Sequence, residues 1–457
     1  MHKRVFAALQ ASRADYTEIR LERHEATRVV YRGPHLETTD VLTDVGGIVR
    51  ALYCGGGGWG IATFNDLTDL PRRVEQATQC ARAIRRDGEC IELAPVPVAQ
   101  ARITVNLPRD FRGVSLAEKK ELTARYNDLI RAYDPRIQDT HVTYADSFTQ
   151  ITYANSQGTY IEEERPLVTV SLVAIARQDG DVQQAHESWS RPAGFEAALG
   201  LEEKALTVAR RAVDLLSARP VEGGRYTVVL NPRLAGVFAH EAFGHLSEAD
   251  FVYDNPQARE MMVLGRRFGP AILTIADDGS LPGQRGTHPY DDEGTPTGRT
   301  DLIKNGILVG RLHSRETAAR MGESPTGNAR ATGYRYPPLV RMTNTFIEAG
   351  QTSFQDMIRD IDRGIYACDA YGGQTALENF SFSAGYAYMI RHGEIAELIR
   401  DVVLSGNLFT TLAHVEAVGD DFEWLGGGNC GKGPGGGLPV GIGAPHLRIS
   451  DVIIGGR

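Results

Sequence analysis

The sequence predicts an α+β fold: N-terminal α/β units of antiparallel strands flanked by helices, followed by a β-rich C-terminal domain. Three observations carry this prediction. A pattern of helix, several strands and helix occurs twice before residue 221. Beyond that point glycine and turn signals become dense and strand-like runs dominate. The strand-like runs alternate in the β manner, whereas the intervening stretches have helical spacing.

The elements follow in order. MHKRVFAALQASRADY opens with basic residues and a short apolar run, but Gln10 interrupts the run and Arg13 and Asp15 follow it. This stretch reads as an amphipathic helix, not a signal peptide. YTEIRLERHEATRVVYR and VGGIVRALYCGGGGWGIATF alternate as strands, with Gly55 to Gly58 as a hairpin connection between two of them. DLPRRVEQATQCARAIRR has helical spacing and closes a first domain over residues 1–95. LAPVPVAQARITVNLP, with two prolines and no helical period, reads as a linker or edge strand. The helix SLAEKKELTARYNDLIRAYD, strands over 137–177 and the helix FEAALGLEEKALTVARRAVDLLSA complete a central domain, 96–220. The third domain spans 221–457.

Bulk properties exclude several function classes. Among 457 residues, 49 Lys and Arg stand against 58 Asp and Glu, a net charge of -9 that offers no footprint for nucleic acid. No stretch approaches the roughly 18 uncharged apolar residues of a membrane span. Five cysteines (Cys54, Cys80, Cys90, Cys368 and Cys430) are scattered without framework spacing, which favours a reducing, cytoplasmic setting in which thiols pack, bind metal or catalyse.

The stretch HEAFGHLSEAD, residues 240–250, carries the chemistry. It is almost the zinc-peptidase helix H-E-x-x-H, with the second histidine one residue late. Asn231 is a good N-cap and Pro232 suits the first helical position. Leu234, Val237, Phe238, Ala242, Phe243 and Leu246 make the helix apolar on most sides. Such a helix is buried, so its ionisable groups must be paired, neutral or bound to metal. In a regular α-helix His240 and His245 would point about 140° apart, too far to share one ion. One π-bulge, with Gly244 as the place to distort, would bring them back together. Glu241 would then stand beside the ion, and the C-terminal domain would carry the metal-binding helix.

Two residues compete as third ligand. Cys430 lies in GGGNCGKGPGGGLPVGIGAPHLRI, a glycine-rich loop with no apolar neighbours along the chain to bury it, where a thiolate can be exposed to metal. Glu248 lies seven residues after Glu241, near one helical face; failing ligation, it would anchor a ligand from behind or end the helix in solvent. The same loop mimics a phosphate-binding G-x-x-x-x-G-K, but Gly433 replaces the required Ser or Thr and no helix follows.

At these residues the chain resembles the TldD/PmbA family, specifically its TldD-type members. The likeness extends to DDEG, TGNAR and RMTNT within residues 288–350, and to ADYTEIRLER, GGIVRALY and GWGIATFND near the N-terminus. The PGGG after Gly433 departs from the shorter, glutamine-containing segment expected there. The resemblance implies a zinc metallopeptidase with His240, His245 and Cys430 as ligands and Glu241 as general base. It also implies unfolded or extended peptide substrates and a two-subunit assembly, either a homodimer or a heterodimer with a PmbA-type subunit. Asn328 and Arg330 are candidates for binding peptide carbonyls or an oxyanion. Asp291, Asp292 and Glu293 are candidates for holding an amino terminus, with turn chemistry as the plainer role for both groups. The competing expectation is a metal-stabilised scaffold or regulator that binds a protein such as gyrase or an antitoxin. Glu241 separates the two, because a structural zinc site has no use for a carboxylate beside an open coordination position.

Overall fold

In the computed structural model, which describes residues 1–54, 57–84 and 90–455, the chain builds one large N-terminal sheet and a C-terminal body of two larger sheets with two short two-stranded ribbons. Gly55 and Gly56 of the expected hairpin connection, and Arg85 and Arg86 at the end of the second expected helix, lie outside the described residues.

Helix α1 (His2–Gln10) precedes the long hairpin of β1 (Tyr16–Arg32) and β2 (His35–Leu52), and β3 (Trp59–Phe64) pairs with β2 before α2 (Leu70–Ala83). The short β4 (Gln100–Ile103) and α3 (Leu116–Ala132) follow, then β5 (Ile137–Asn155), β6 (Tyr160–Gln178), β7 (Asp181–Arg191) and α4 (Glu202–Ser217). The order is β3-β2-β1-β5-β6-β4, with β7 also on β6 and β4 as the expected edge strand. β1 and β5 pair antiparallel from Glu18 opposite Asn155 to Arg32 opposite His141. Strands of the first and second sequence segments therefore belong to one continuous sheet. Alternating burial along β5 and β6 puts one face on α3 and α4, where Tyr126, Phe148, Leu172 and Val208 form the core.

One expectation about the cysteines is overturned here. Cys54, just past β2, and Cys90 form a disulfide across 36 residues of sequence. They meet because Leu52 and Ile91 pack around Tyr16, a tertiary contact that cysteine spacing does not encode.

In the C-terminal body, β8 (Arg219–Pro220) leads into β9 (Gly224–Leu230), which pairs with Arg363–Ala376 on one side and Leu447–Gly455 on the other. The sheet continues through Val403–Asn407 to Asn379–Arg391, which also pairs with Arg363–Ala376, so five strands close a ring. A second sheet of six strands runs from Ile307–Leu308 to Glu423–Trp424 through Arg299–Lys304, Ile275–Asp278, Asn344–Ile347 and Gly441–Ala444. Helix α5 (Pro232–Ala239) follows β9 directly, and its Phe238 packs on Phe380 and Phe382 of the ring, with centroids 5.6 and 6.0 Å away. A single core joins α5 to both sheets. The helix that carries the histidines is therefore held from two sides.

Candidate metal centre

The local sequence sets up this helix as expected at its start. The Asn231 carboxamide oxygen accepts a hydrogen bond from the Leu234 N–H at 2.9 Å, and Pro232 takes the first turn. The α-helical pattern stops at Ala239. Residues His240–Gly244 form a π-turn and His245–Ser247 a 3₁₀ turn, which is the inserted residue that the late histidine requires. The glycine has a steric reason, not a backbone one, because its φ of -55° is ordinary. A Cβ there would stand 1.9 Å from the Met342 sulfur, which is itself fully buried. Leu234, Phe238, Phe243 and Leu246 are almost entirely buried. At about 1.5–3 kcal/mol each, their burial holds the irregular segment in place.

The π-turn puts His240 and His245 on one side, with ring centroids 5.3 Å apart. Cys430 arrives on a two-stranded ribbon, Asn429–Gly431 paired with Gly437–Pro439, and its Sγ lies 3.3 Å from His245 Nε2. Donor atoms of the three residues all lie within 4.8 Å of one another. The local sequence misleads about the cysteine's exposure: Cys430 is only 3% exposed and belongs to the main C-terminal core, because distant strands cover what its own glycine-rich neighbours cannot.

Cys430 and His245 each favour the other's charged form. Burial raises the Cys430 thiol pKa, but hydrogen bonds and charge from His240 and His245 outweigh it and pull it down to about 5. Burial disfavours the charged form of His245, yet bonds to Cys430 and Glu248 raise its pKa to about 10. A thiolate facing a charged imidazole is the arrangement a cation can replace, with a proton leaving the histidine. The buried Nδ1 of His240 has no hydrogen-bond partner among the described residues. Two imidazoles, one of them with an orphaned ring nitrogen, and a thiolate are a donor set that suits zinc.

Glu248 lies behind this cluster, outside the group of donors. Its Oε2 is 3.1 Å from His245 Nδ1 and 3.0 Å from Lys432 Nζ, and the residue is 1% exposed. Burial would raise its pKa, but the His245 bond and the Lys432 charge lower it on balance, so it stays a carboxylate. Lys432 also donates to Asp250 at 2.7 Å and to the Val340 carbonyl at 2.9 Å. The lysine that looked like part of a phosphate loop instead ties the Cys430 ribbon to the acid that orients His245. Glu241 is half-buried, with Oε2 4.0 Å from His245 Nε2, and it lines a cavity of about 560 Å³ together with His240.

The remaining residues singled out in the sequence are engaged within the protein. Asn328 donates to Asp277 and to the Arg341 carbonyl, both at 3.0 Å, and accepts from Thr326 at 2.7 Å. Arg330 donates to the Pro439 carbonyl at 2.8 Å and also bonds the Met342 carbonyl, while its Nη2 lies 3.3 Å from His288 Nε2. Asp291 receives the N–H groups of Glu293, Thr295 and Ala329. Asp292 receives that of Ala331 and pairs with Arg165 at 3.1 Å, and Glu293 pairs with Arg50 at 3.2 Å. Asp292 and Glu293 tie the C-terminal body to the N-terminal sheet, while Asp291 is spent on backbone N–H groups, two of them in its own turn, the turn chemistry that was its plainer role. Arg285 was missed in the sequence. It lines the Glu241 cavity and donates to Gly428 and Asn429, just before Cys430. An arginine in a turn-rich stretch gives no sign of that placement.

Family models match along the chain: the first domain of PmbA/TldA metallopeptidases over residues 17–84, their central domain over 109–219 and their C-terminal domain over 223–456. A metalloprotease of Synechocystis sp. is 48% identical over 446 residues, covering 97% of this chain and 96% of its own. A protein of Saccharolobus solfataricus named a zinc metalloprotease TldD homolog is 27% identical over 457 residues, covering 97% of each chain. Among solved structures, TldE from Thermococcus kodakarensis superposes with a TM-score of 0.79 at 18% identity, over 100% of both chains.

Proposed function

The chain belongs to the PmbA/TldD family of metallopeptidases, and on that premise we propose that it is a zinc-dependent peptidase acting on unfolded or extended peptides. The observation that carries this reading is the convergence of His240, His245 and Cys430 within 4.8 Å, with the Glu241 carboxylate beside them at the wall of a cavity. His240, His245 and Cys430 would hold the ion, three protein ligands that leave a coordination position open. Bound there, zinc would supply Lewis acidity to a water and to the substrate carbonyl.

Glu241 takes the proton from the attacking water and returns it to the leaving amine. Glu248 fixes the ring of His245 through Nδ1, so that Nε2 points at the centre. Because Glu241 and His240 are reached from a cavity, the substrate backbone must be extended, and a folded protein is excluded. The location we propose is the cytoplasm, as the sparse cysteines of the sequence favour, and among the described residues no helix is long and apolar enough to cross a membrane; fractionation of the native host tests it. The assembly we propose has two subunits, either two copies or this chain with a PmbA-type partner.

A Glu241→Gln variant tests the reading. It should keep zinc and lose peptide hydrolysis by about 10²- to 10⁴-fold, the usual contribution of a general base. Undiminished hydrolysis by this variant would remove Glu241 from the mechanism.

A further inference from the structure

Resting on the peptidase reading, we infer that Arg285 is a receptor for a carboxylate of the peptide substrate, held in the same cavity as Glu241. Arg285 is 6% exposed and lines the 560 Å³ cavity with His240 and Glu241. It also lines a second cavity of similar volume, which shares Leu167 and Pro439 with the first. The other charges on the catalytic cavity neutralise one another. Glu187 is bound by Arg233 and, at 3.2 Å, by Lys204, and Asp369 is bound by Arg211 at 2.7 Å. Glu241 faces the metal cluster. Arg285 is left over.

Its guanidinium meets no acid among the described residues. One arm donates to the Gly428 carbonyl and another to the Asn429 carboxamide at 3.0 Å, while Nε is buried without a partner. The charged groups that act on it most are Arg330 and Arg191, and both repel. A buried guanidinium among like charges, with an unused donor, costs free energy that an anion would recover. Its planar fork suits a carboxylate, and a peptide brings one at its C-terminus or on an Asp or Glu side chain. Arg330 and Arg341, also buried and bonded to carbonyls, do not line this cavity. Because Asn429 precedes Cys430, a carboxylate on Arg285 would sit close to the ligand ribbon. The scissile bond would then fall near that carboxylate.

The test uses one fluorescent peptide in three forms: a free C-terminal acid, a C-terminal amide, and an amide with a single internal Glu. Affinities are measured on the full-length, zinc-loaded protein carrying Glu241→Gln, so that binding is read without turnover. The acid or the Glu-containing amide should bind about 10- to 100-fold tighter than the plain amide, and which of them gains identifies the source of the carboxylate. Adding Arg285→Gln should abolish the gain, so that all three peptides bind alike, while Arg285→Lys should keep part of it. Equal affinities for all three peptides, or a gain that survives Arg285→Gln, would overturn the assignment. So would an equal loss for all three peptides accompanied by loss of zinc, which would make Arg285 a clamp for the Cys430 ribbon alone. The peptidase reading stands or falls separately, on hydrolysis of the plain amide by the otherwise unaltered enzyme.

Discussion

Replacing Glu248 with alanine should weaken zinc binding about 10- to 100-fold without unfolding the protein. The magnitude follows from the contacts removed. Glu248 makes one charged hydrogen bond to His245 Nδ1 at 3.1 Å, in a site that is 1% exposed and so closed to water. A bond of this kind contributes about 1.5–3 kcal/mol. A loss of 10- to 100-fold in affinity corresponds to about 1.4–2.8 kcal/mol, and partners behind metal ligands characteristically contribute that much. Lys432 is not stranded by the change, because Asp250 at 2.7 Å and the Val340 carbonyl at 2.9 Å still receive it. The loss should therefore appear in the metal site before it appears in the fold. Competition against a chromophoric chelator gives the affinity, and thermal melting of the metal-free protein gives the stability. Glu248→Gln, which retains an acceptor for the imidazole N–H, should fall between alanine and wild type. If Glu248→Ala binds zinc within about twofold of wild type, His245 does not depend on this anchor and the argument for it is wrong.

Two further predictions concern the frame around the site. Gly244→Ala places a methyl group against the Met342 sulfur and should cost about 1–3 kcal/mol by overpacking. Adding Met342→Ala should relieve part of that clash, and denaturant titration of the two single variants and the double variant measures the coupling. His288 supplies a pH dependence: burial and the Arg165 charge push its pKa down to about 4, even though Glu163 lies 3.5 Å away. Its folded value is below the unfolded value of about 6.5, so its contribution is complete above pH 6.5 and lost as pH falls towards 4. Between pH 6.5 and 4.5 wild type should therefore lose about 2 kcal/mol more than His288→Gln, read from denaturant midpoints at the two pH values; equal losses would show that His288 does not titrate as its burial implies.

Much of the local structure was legible because local rules set it. The alternation that marked YTEIRLERHEATRVVYR as a strand matches β1, Tyr16–Arg32. The Asn231-Pro232 start and the π-turn at His240–Gly244 followed from capping chemistry and from the spacing of two histidines. Contacts across long separations were not legible. Nothing in the strand patterns says that β1 pairs with β5, more than a hundred residues later in sequence, which puts the first two segments in one sheet. Cys430 sits among glycines in sequence yet is buried by strands from elsewhere. Glu248 could be placed as a rival ligand or an anchor. The bond to His245 Nδ1 makes it an anchor, and Lys432, which helps keep it charged there, lies 184 positions downstream by residue number. The Cys54–Cys90 pairing and the unpaired charge of Arg285 were hidden for the same reason: both depend on neighbours that only the fold supplies.

The most direct test of the metal centre is elemental analysis of the purified chain beside its His240→Ala, His245→Ala, Cys430→Ser and Glu241→Gln variants, all prepared without chelators. The account predicts about one zinc per chain in wild type and Glu241→Gln, and little in the three ligand variants. Wild type without stoichiometric metal, or Cys430→Ser with its zinc intact, would contradict it.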